Sequence, residues 1–314
     1  MTNDSGKAPA GGSGNKAQIG GRGKKLRGIT LDDIRAARLT IQDVVRRTSL
    51  RPMPLSAKLK IDGLGSQIFL KFENEQATGS FKLRGAMNKM RSLSDEEKKR
   101  GVVASSAGNH AQGVAFGAQK VGVPAFIVMP ETAPIVKINA TRNYGANVIL
   151  HGDFYDEAYQ KALQLELEQN LTFVHPYEDE KVIAGQGTIG LEIFEDLADV
   201  DTVVVPIGGG GLISGIATAL KALNPKIKIY GVVSDQAPGM MQLFHHETPS
   251  EYKKKIATIA EGIAVKIPSP AIHETYISKL VDEIVAVTDD EVAQAIVYLL
   301  ENVKTVAEGS GAAG

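Results

Sequence analysis

From residue 29 onward, short apolar runs rich in β-branched residues alternate with longer stretches whose apolar positions recur at the helical period. Residues 68–72, 102–105, 126–129, 147–150, 202–206 and 227–233 form the short runs and predict strands, each followed by a helical stretch. End signals agree: Ser94 with Glu97 makes a capping box, Pro134 suits a first helical turn, and Gly145 closes a helix before the next strand. Strand–helix alternation predicts an α/β fold in which parallel sheets are covered by helices, with ligands at the carboxyl ends of the strands. No internal repeat is visible at periods of about 20 to 50 residues, so one site, in one or two lobes, is expected.

Residues 1–28 break the pattern. Gly, Ala, Lys, Ser and Asn dominate them and almost nothing there can be buried, so a solvated, disordered tail is expected. The segment lacks the apolar core of an export signal. No run in the chain approaches the roughly 20 apolar residues of a membrane span, so a cytoplasmic location without a membrane partner is expected.

Composition then narrows the function classes. Of 314 residues, 43% are hydrophobic and 23% charged, the balance of a globular chain with a sizeable core. Lys plus Arg (35) nearly equals Asp plus Glu (36), so no net field draws the chain to nucleic acid. Cysteine is absent, which removes disulfides, thiolate metal sites and thiol nucleophiles. Any nucleophile is therefore Lys, Ser, Thr or a carboxylate, and a small molecule is the expected partner.

Loops between predicted strands and helices carry the candidate chemistry. In Pro206-Ile207-Gly208-Gly209-Gly210-Gly211-Leu212, successive N–H groups can turn toward one anion without Cβ obstruction, and the helix start adds unpaired donors. The loop suits a phosphate. It has neither the ending of a nucleotide P-loop nor dinucleotide-fingerprint spacing, and a tight turn without a ligand is the alternative. In Thr78-Gly79-Ser80-Phe81-Lys82-Leu83-Arg84-Gly85 a lysine opens a helix. A partly desolvated amine there has a lowered pKa and is the free base that condenses with an aldehyde, with Arg84 expected to push the same way; a solvated surface lysine is the alternative. Ser105-Ser106-Ala107-Gly108-Asn109-His110 presents hydroxyls, a carboxamide and helix-start N–H groups, a receptor for a carboxylate, against the plainer reading of a helix cap with a packed His110.

The ordered blocks SFKLRGA, SSAGNHAQG, GQGTIGLEI and PIGGGGL together resemble the fold-type II pyridoxal-phosphate enzymes, and among them the short catabolic-type threonine dehydratases. The resemblance runs from about Ile29 to the last residue. It implies a tryptophan-synthase-β-like α/β fold, with a large lobe over residues 29–75 and 176–314 and a small lobe over residues 76–175. It implies pyridoxal 5′-phosphate as cofactor: Lys82 carries it and is catalytic, Phe81 packs beside its ring, Asn109 bonds its ring hydroxyl, and Gly208, Gly209, Gly210, Gly211 and Leu212 form its phosphate cup. Ser106, Asn109 and His110 are implied to take the substrate carboxylate. The implied activity is elimination of water from L-threonine, and also L-serine, to a 2-oxo acid and ammonia, by a homo-oligomer (dimer or tetramer) with a nucleotide effector left open.

Particular positions refine this expectation. Ala107 stands where similar racemases carry an acid/base serine, which favours elimination over racemisation. Val232-Val233-Ser234-Asp235-Gln236 lacks the glutamate with which some relatives help bind a divalent ion, so no metal is expected. Ala307-Glu308-Gly309-Ser310-Gly311 resembles the segment before a further helix and strand that lead to the pyridine-nitrogen partner; the chain stops at Gly314, and a truncated catalytic domain is the expectation. Rival readings are an L-serine dehydratase, a serine racemase-like enzyme or a β-replacing synthase, and, in a different class, a non-catalytic phosphate- or nucleotide-binding module. One methyl group separates threonine from serine, worth only about 1–3 kcal/mol in a pocket, so the blocks leave that choice open.

Overall fold

The computed structural model describes residues 25–54, 67–250, 252 and 256–314. In chain order its main elements are α1 (Leu31–Ile41), β1 (Leu50–Pro52), β2 (Phe69–Lys71), α2 (Lys82–Arg91), α3 (Asp95–Arg100), β3 (Val102–Ser105), α4 (Asn109–Val121), β4 (Ala125–Met129) and α5 (Ile135–Asn143). There follow β5 (Asn147–Leu150), α6 (Tyr155–Gln169), β6 (Thr172–Phe173), α7 (Glu180–Asp196), β7 (Thr202–Pro206), α8 (Gly211–Leu223), β8 (Lys228–Ser234), α9 (Gly239–Phe244) and β9 (Glu283–Val287). Helices Asp289–Tyr298 and Gly309–Ala312 lie toward the end of the chain.

Burial on both faces explains why the central predicted strands read as continuous apolar runs. In the parallel sheet β5-β4-β3-β6, Val102, Ala104, Ile127 and Met129 face the side of α2 and α4, while Val103 and Val128 pack on Ala158, Ala162 and Leu165 of α6. A second parallel sheet, β7-β8-β9, sets Val205, Ile229, Val233 and Ile284 against Ile183 and Ile189 of α7 and Ile213 and Leu220 of α8. Among the described residues, no helix is long and apolar enough to cross a membrane.

Several expectations need correction. The run 68–72 joins neither parallel sheet: β2 pairs antiparallel with β1, Leu50 opposite Lys71. β1, β6 and β9 are not predicted from the sequence; β6 has only two residues, too short for any periodicity. Residues 1–24 of the expected tail lie outside the described residues. Its last residues belong to the body: Leu26 is buried, and Arg27 donates to Glu180 through its backbone N–H (2.7 Å) and its Nε (2.9 Å).

Helix α7, which contains the GQGTIGLEI block, is buried at every position from Val182 to Ile193. It lies between α2 and α8 at distances that exclude side chains. A Cβ on Gly185 would fall 2.6 Å from the Arg84 carbonyl oxygen, and one on Gly85 would fall 2.6 Å from that of Val182. On the other side, a Cβ on Gly215 would fall 2.4 Å from the Ile183 carbonyl oxygen and 2.6 Å from the Gly187 nitrogen. The Gln186 Oε1 also accepts the Gly85 N–H at 3.1 Å, so the first turn of α2 is both packed and hydrogen-bonded to α7.

A buried ionic cluster fastens the same helices. The Arg84 side chain is 1% exposed; its Nε and Nη2 each donate to Glu73 at 2.8 Å, and Nη1 and Nη2 donate to Glu192 at 2.6 and 2.9 Å. Lys71 Nζ adds a second cation, 2.6 Å from Glu192 Oε2. Burial alone would lower the guanidinium's pKa, but Glu73 and then Glu192 outweigh it and hold the group above its ordinary value. Two cations thus meet two carboxylates, an arrangement in which such charges are tolerated away from water.

Removing one anion therefore leaves uncompensated buried charge. Glu192→Ala is expected to destabilise the protein by about 3–5 kcal/mol in urea unfolding; a loss below about 1 kcal/mol would contradict this account of the cluster.

Candidate active site

The segments that follow β3, β6 and β7 meet one another and the start of α2. Lys82 is the first residue of α2, and its Nζ donates to the Pro176 carbonyl at 3.1 Å. The next residue, Tyr177, lays its ring on the glycine loop: a Cβ on Gly209 would sit 2.1 Å from Tyr177 Cδ1, and one on Gly211 2.9 Å from Tyr177 Cβ. Two consecutive residues therefore join the amine to the loop. Phe81, Tyr177 and Leu212 all pack against the core that lies under α7 and α8.

The contacts close into a ring. Gly208 lies against the backbone of Gly262 and Ile263, and a Cβ on Gly262 would fall 2.7 Å from Ser310 Oγ. The neighbouring Glu308 accepts from Asn109 Nδ2 at 2.7 Å, and Asn109 is the first residue of α4. One turn further along, a Cβ on Gly113 would meet the Lys82 carbonyl at 3.2 Å, which returns the circuit to the amine.

Close packing by Tyr177 and Gly262–Ile263 accounts for the bare Cα atoms at 208, 209 and 211, while Gly210 sits at φ +87°, a conformation that disfavours side chains. Packing does not use the N–H groups. Among the described residues those of Gly208, Gly209 and Gly210 make no hydrogen bond to the protein, and those of Gly211, Leu212 and Ile213 are the free first-turn donors of α8. The side-chain atoms Thr78 Oγ1, Ser80 Oγ, Ser105 Oγ, His110 Nδ1 and Ser310 Oγ are likewise buried without a partner. Buried polar groups are ordinarily paired, so the free N–H groups of the glycine loop mark a ligand site.

Electrostatics suit an amine nucleophile. Burial lowers the Lys82 pKa from 10.5 to about 8, against an opposing pull from Glu308. Arg84, expected to assist, is instead neutralised by Glu73 and Glu192. His110 is 3% exposed; burial first, and then Lys82, lower its pKa to about 3, so the ring is neutral. Because the Val174 carbonyl can only accept, Nε2 donates to it at 2.9 Å and Nδ1 is left as a bare lone pair. The His110 side chain therefore has no proton to donate to a carboxylate, while the α4 first-turn N–H groups of Asn109, His110 and Ala111 do.

The remaining expected residues lie around the same ring. Ser106 donates its N–H to the Val128 carbonyl (3.2 Å) and accepts the Gly108 N–H at its Oγ (3.2 Å). Ala107 is partly buried beside them. At the turn after β8, the Ser234 Oγ accepts from Gln236 N–H, and Thr258 Oγ1 donates to Asp289; among the described residues no group of three or more His, Asp or Glu side chains is placed to hold a metal ion. Sequence reasoning missed Tyr177 and Glu308. Tyr177 follows a two-residue strand that leaves no pattern, and Glu308 reaches Asn109 from 199 positions away.

These groups fit pyridoxal phosphate. The N–H groups from Gly208 to Leu212 match an anionic phosphate, Lys82 matches an aldehyde, and the Phe81 ring lies beside the amine, its centroid 5.3 Å from Lys82 Nζ. Comparison with known proteins agrees. An L-threonine ammonia-lyase of Thermotoga maritima is 53% identical over 286 residues, which is 91% of this chain and 70% of that protein. The processed form of threonine deaminase isoform 2 from Solanum lycopersicum superposes with a TM-score of 0.81 at 39% identity, covering 91% of this chain and 78% of that one. A maize serine racemase superposes with a TM-score of 0.83 at 34% identity, covering 91% of this chain and 85% of that one. A family model described as "Pyridoxal-phosphate dependent enzyme" matches residues 41–314. That span holds every loop of the site, and the chain belongs to the pyridoxal-phosphate-dependent enzyme family, in its fold-type II form.

Proposed function

We propose that this protein is a threonine ammonia-lyase, eliminating water from L-threonine to give 2-oxobutanoate and ammonia, with L-serine as a second substrate. One observation carries the reading: a buried amine, Lys82, lowered to a pKa of about 8, stands on the Pro176 carbonyl beside the anion-binding glycine loop. The names of its relatives supply threonine as the substrate.

In this reading Phe81, Lys82, Asn109, Gly208 to Gly211 and Leu212 hold pyridoxal phosphate. Bound there, the cofactor supplies an electron sink for the pair left at the substrate α-carbon. Lys82 Nζ, able to carry or release a proton near neutrality, takes the α-proton while Pro176 orients it. The first-turn N–H groups of α4, with Ser106 and Asn109, hold the substrate carboxylate. Ala107 offers no second acid/base to return the α-proton on the opposite face, so loss of the β-hydroxyl is the outcome. The described residues of 76–175 form the small lobe and those of 29–75 and 176–314 the large lobe, and the enzyme works as a dimer or tetramer open to nucleotide control. Serine racemisation is the second reading, favoured by the maize neighbour and opposed by Ala107.

Lys82→Ala is expected to lose all measurable 2-oxo acid formation from threonine while keeping the wild-type circular dichroism spectrum; retained turnover would contradict the assignment. With L-serine, the wild type is expected to form pyruvate and no D-serine on a chiral column. Comparable rates of the two would reverse the choice between elimination and racemisation. In cofactor-free protein only the neutral amine reacts with formaldehyde, so reductive methylation of Lys82, followed by peptide mass spectrometry, is expected to rise with pH and reach half its maximum at a pH of about 8. A midpoint above about pH 10, as for a solvated lysine, would remove the burial argument.

A further inference from the structure

Asn109 is held by a residue that no local sequence signal places in the site. Glu308 Oε1 lies 2.7 Å from Asn109 Nδ2, within the range of charge-assisted hydrogen bonds. An ionised carboxylate only accepts, so it must face the amide nitrogen; the contact therefore decides which end of the Asn109 carboxamide points where. The nitrogen carries two hydrogens, and the one not given to Glu308 is then fixed in the plane of the amide.

We propose that Glu308 is a positioning residue: its carboxylate locks the Asn109 carboxamide in one orientation and leaves the second Nδ2–H as the donor to the cofactor's ring hydroxyl. The mounting of Glu308 supports this. Its carbonyl accepts from Gly311 and Ala312 N–H at 2.9 and 3.0 Å, and Gly309 lies so close to Ile259 that a Cβ would fall 2.3 Å from that carbonyl oxygen. Ala312 and Ala313 pack with Val232, Ala260, Ile263 and Val292. Glu308 is thus exposed to solvent, while the backbone beneath it is anchored on both sides. This arrangement gives precise direction to a side chain that contributes nothing to the core.

Because the proposal rests on the cofactor reading, its test separates the two. Pyridoxal phosphate is titrated spectrophotometrically into cofactor-free wild type, Glu308→Ala, Asn109→Ala and the double variant, with melting temperatures as a check on folding. Glu308→Ala is expected to raise the Kd about tenfold, the factor that follows from losing one charge-assisted bond. Acting through Asn109, it is expected to add nothing further in the double variant, which should bind as Asn109→Ala does. Glu308→Gln, which keeps the shape and one acceptor oxygen, is expected to lie between wild type and Glu308→Ala, and it carries the same cycle if the alanine variant does not fold. A wild-type Kd for Glu308→Ala, or full additivity in the double variant, overturns the proposal alone. Failure of the wild type to bind pyridoxal phosphate overturns the cofactor reading and the proposal together.

Discussion

Helix α7 touches α2 at Gly85 and Gly185 and touches α8 at Gly187 and Gly215, in each case backbone against backbone. This contact sets the spacing of the active site. The amine-bearing lysine is the first residue of α2 and the glycine loop runs into the first residue of α8, so fixing both helices to one buried partner fixes the distance between them. Side chains at these contacts would push the helices apart, since overpacking in a close-packed interior is met by backbone shifts. The Arg84–Glu192 and Arg84–Glu73 pairs act at the same joint and add direction, because a bidentate guanidinium tolerates little rotation.

Against that rigid frame the site itself is left unsatisfied. Hydroxyls of Thr78, Ser80, Ser105 and Ser310 are buried without partners, and the N–H groups of the glycine loop point to no acceptor among the described residues. Each such group costs stability unless something completes it. The molecule places its paired charges at the α2–α7 joint and leaves the N–H groups of the glycine loop free where an anionic cofactor is proposed to sit. Burial also tunes both nearby bases, lowering Lys82 to about 8 and His110 to about 3, so that one can exchange protons near neutrality and the other stays out of the chemistry.

Much of this is legible in the sequence, for local reasons. The glycine loop, Lys82 and the 105–110 turn each combine a strand end with a helix start within a few residues, and both parallel sheets follow from apolar runs buried on two faces. What escapes is set by distant partners. By sequence Arg84 is a neighbour that should depress the Lys82 pKa, yet Glu192, 108 positions on, claims it. The 68–72 run reads as a sheet strand, but among the described residues its partner is the three-residue β1, which carries too little periodicity to be predicted. His110 could be a ligand or a packed residue by sequence, and only its bond to Val174 decides that its side chain has no proton to give a carboxylate. The GQGTIGLEI block marks the family without disclosing its work, since a glycine's value in helix packing depends on what lies opposite.

The central claim is that one small molecule spans the Lys82 amine and the glycine loop. Borohydride reduction of the holoenzyme, followed by peptide mapping, tests it most directly: the pyridoxyl mass should appear on the peptide containing Lys82 and on no other, and substitution of the loop glycines should reduce its yield. Label on any other lysine, or equal labelling when the loop is altered, would contradict the account.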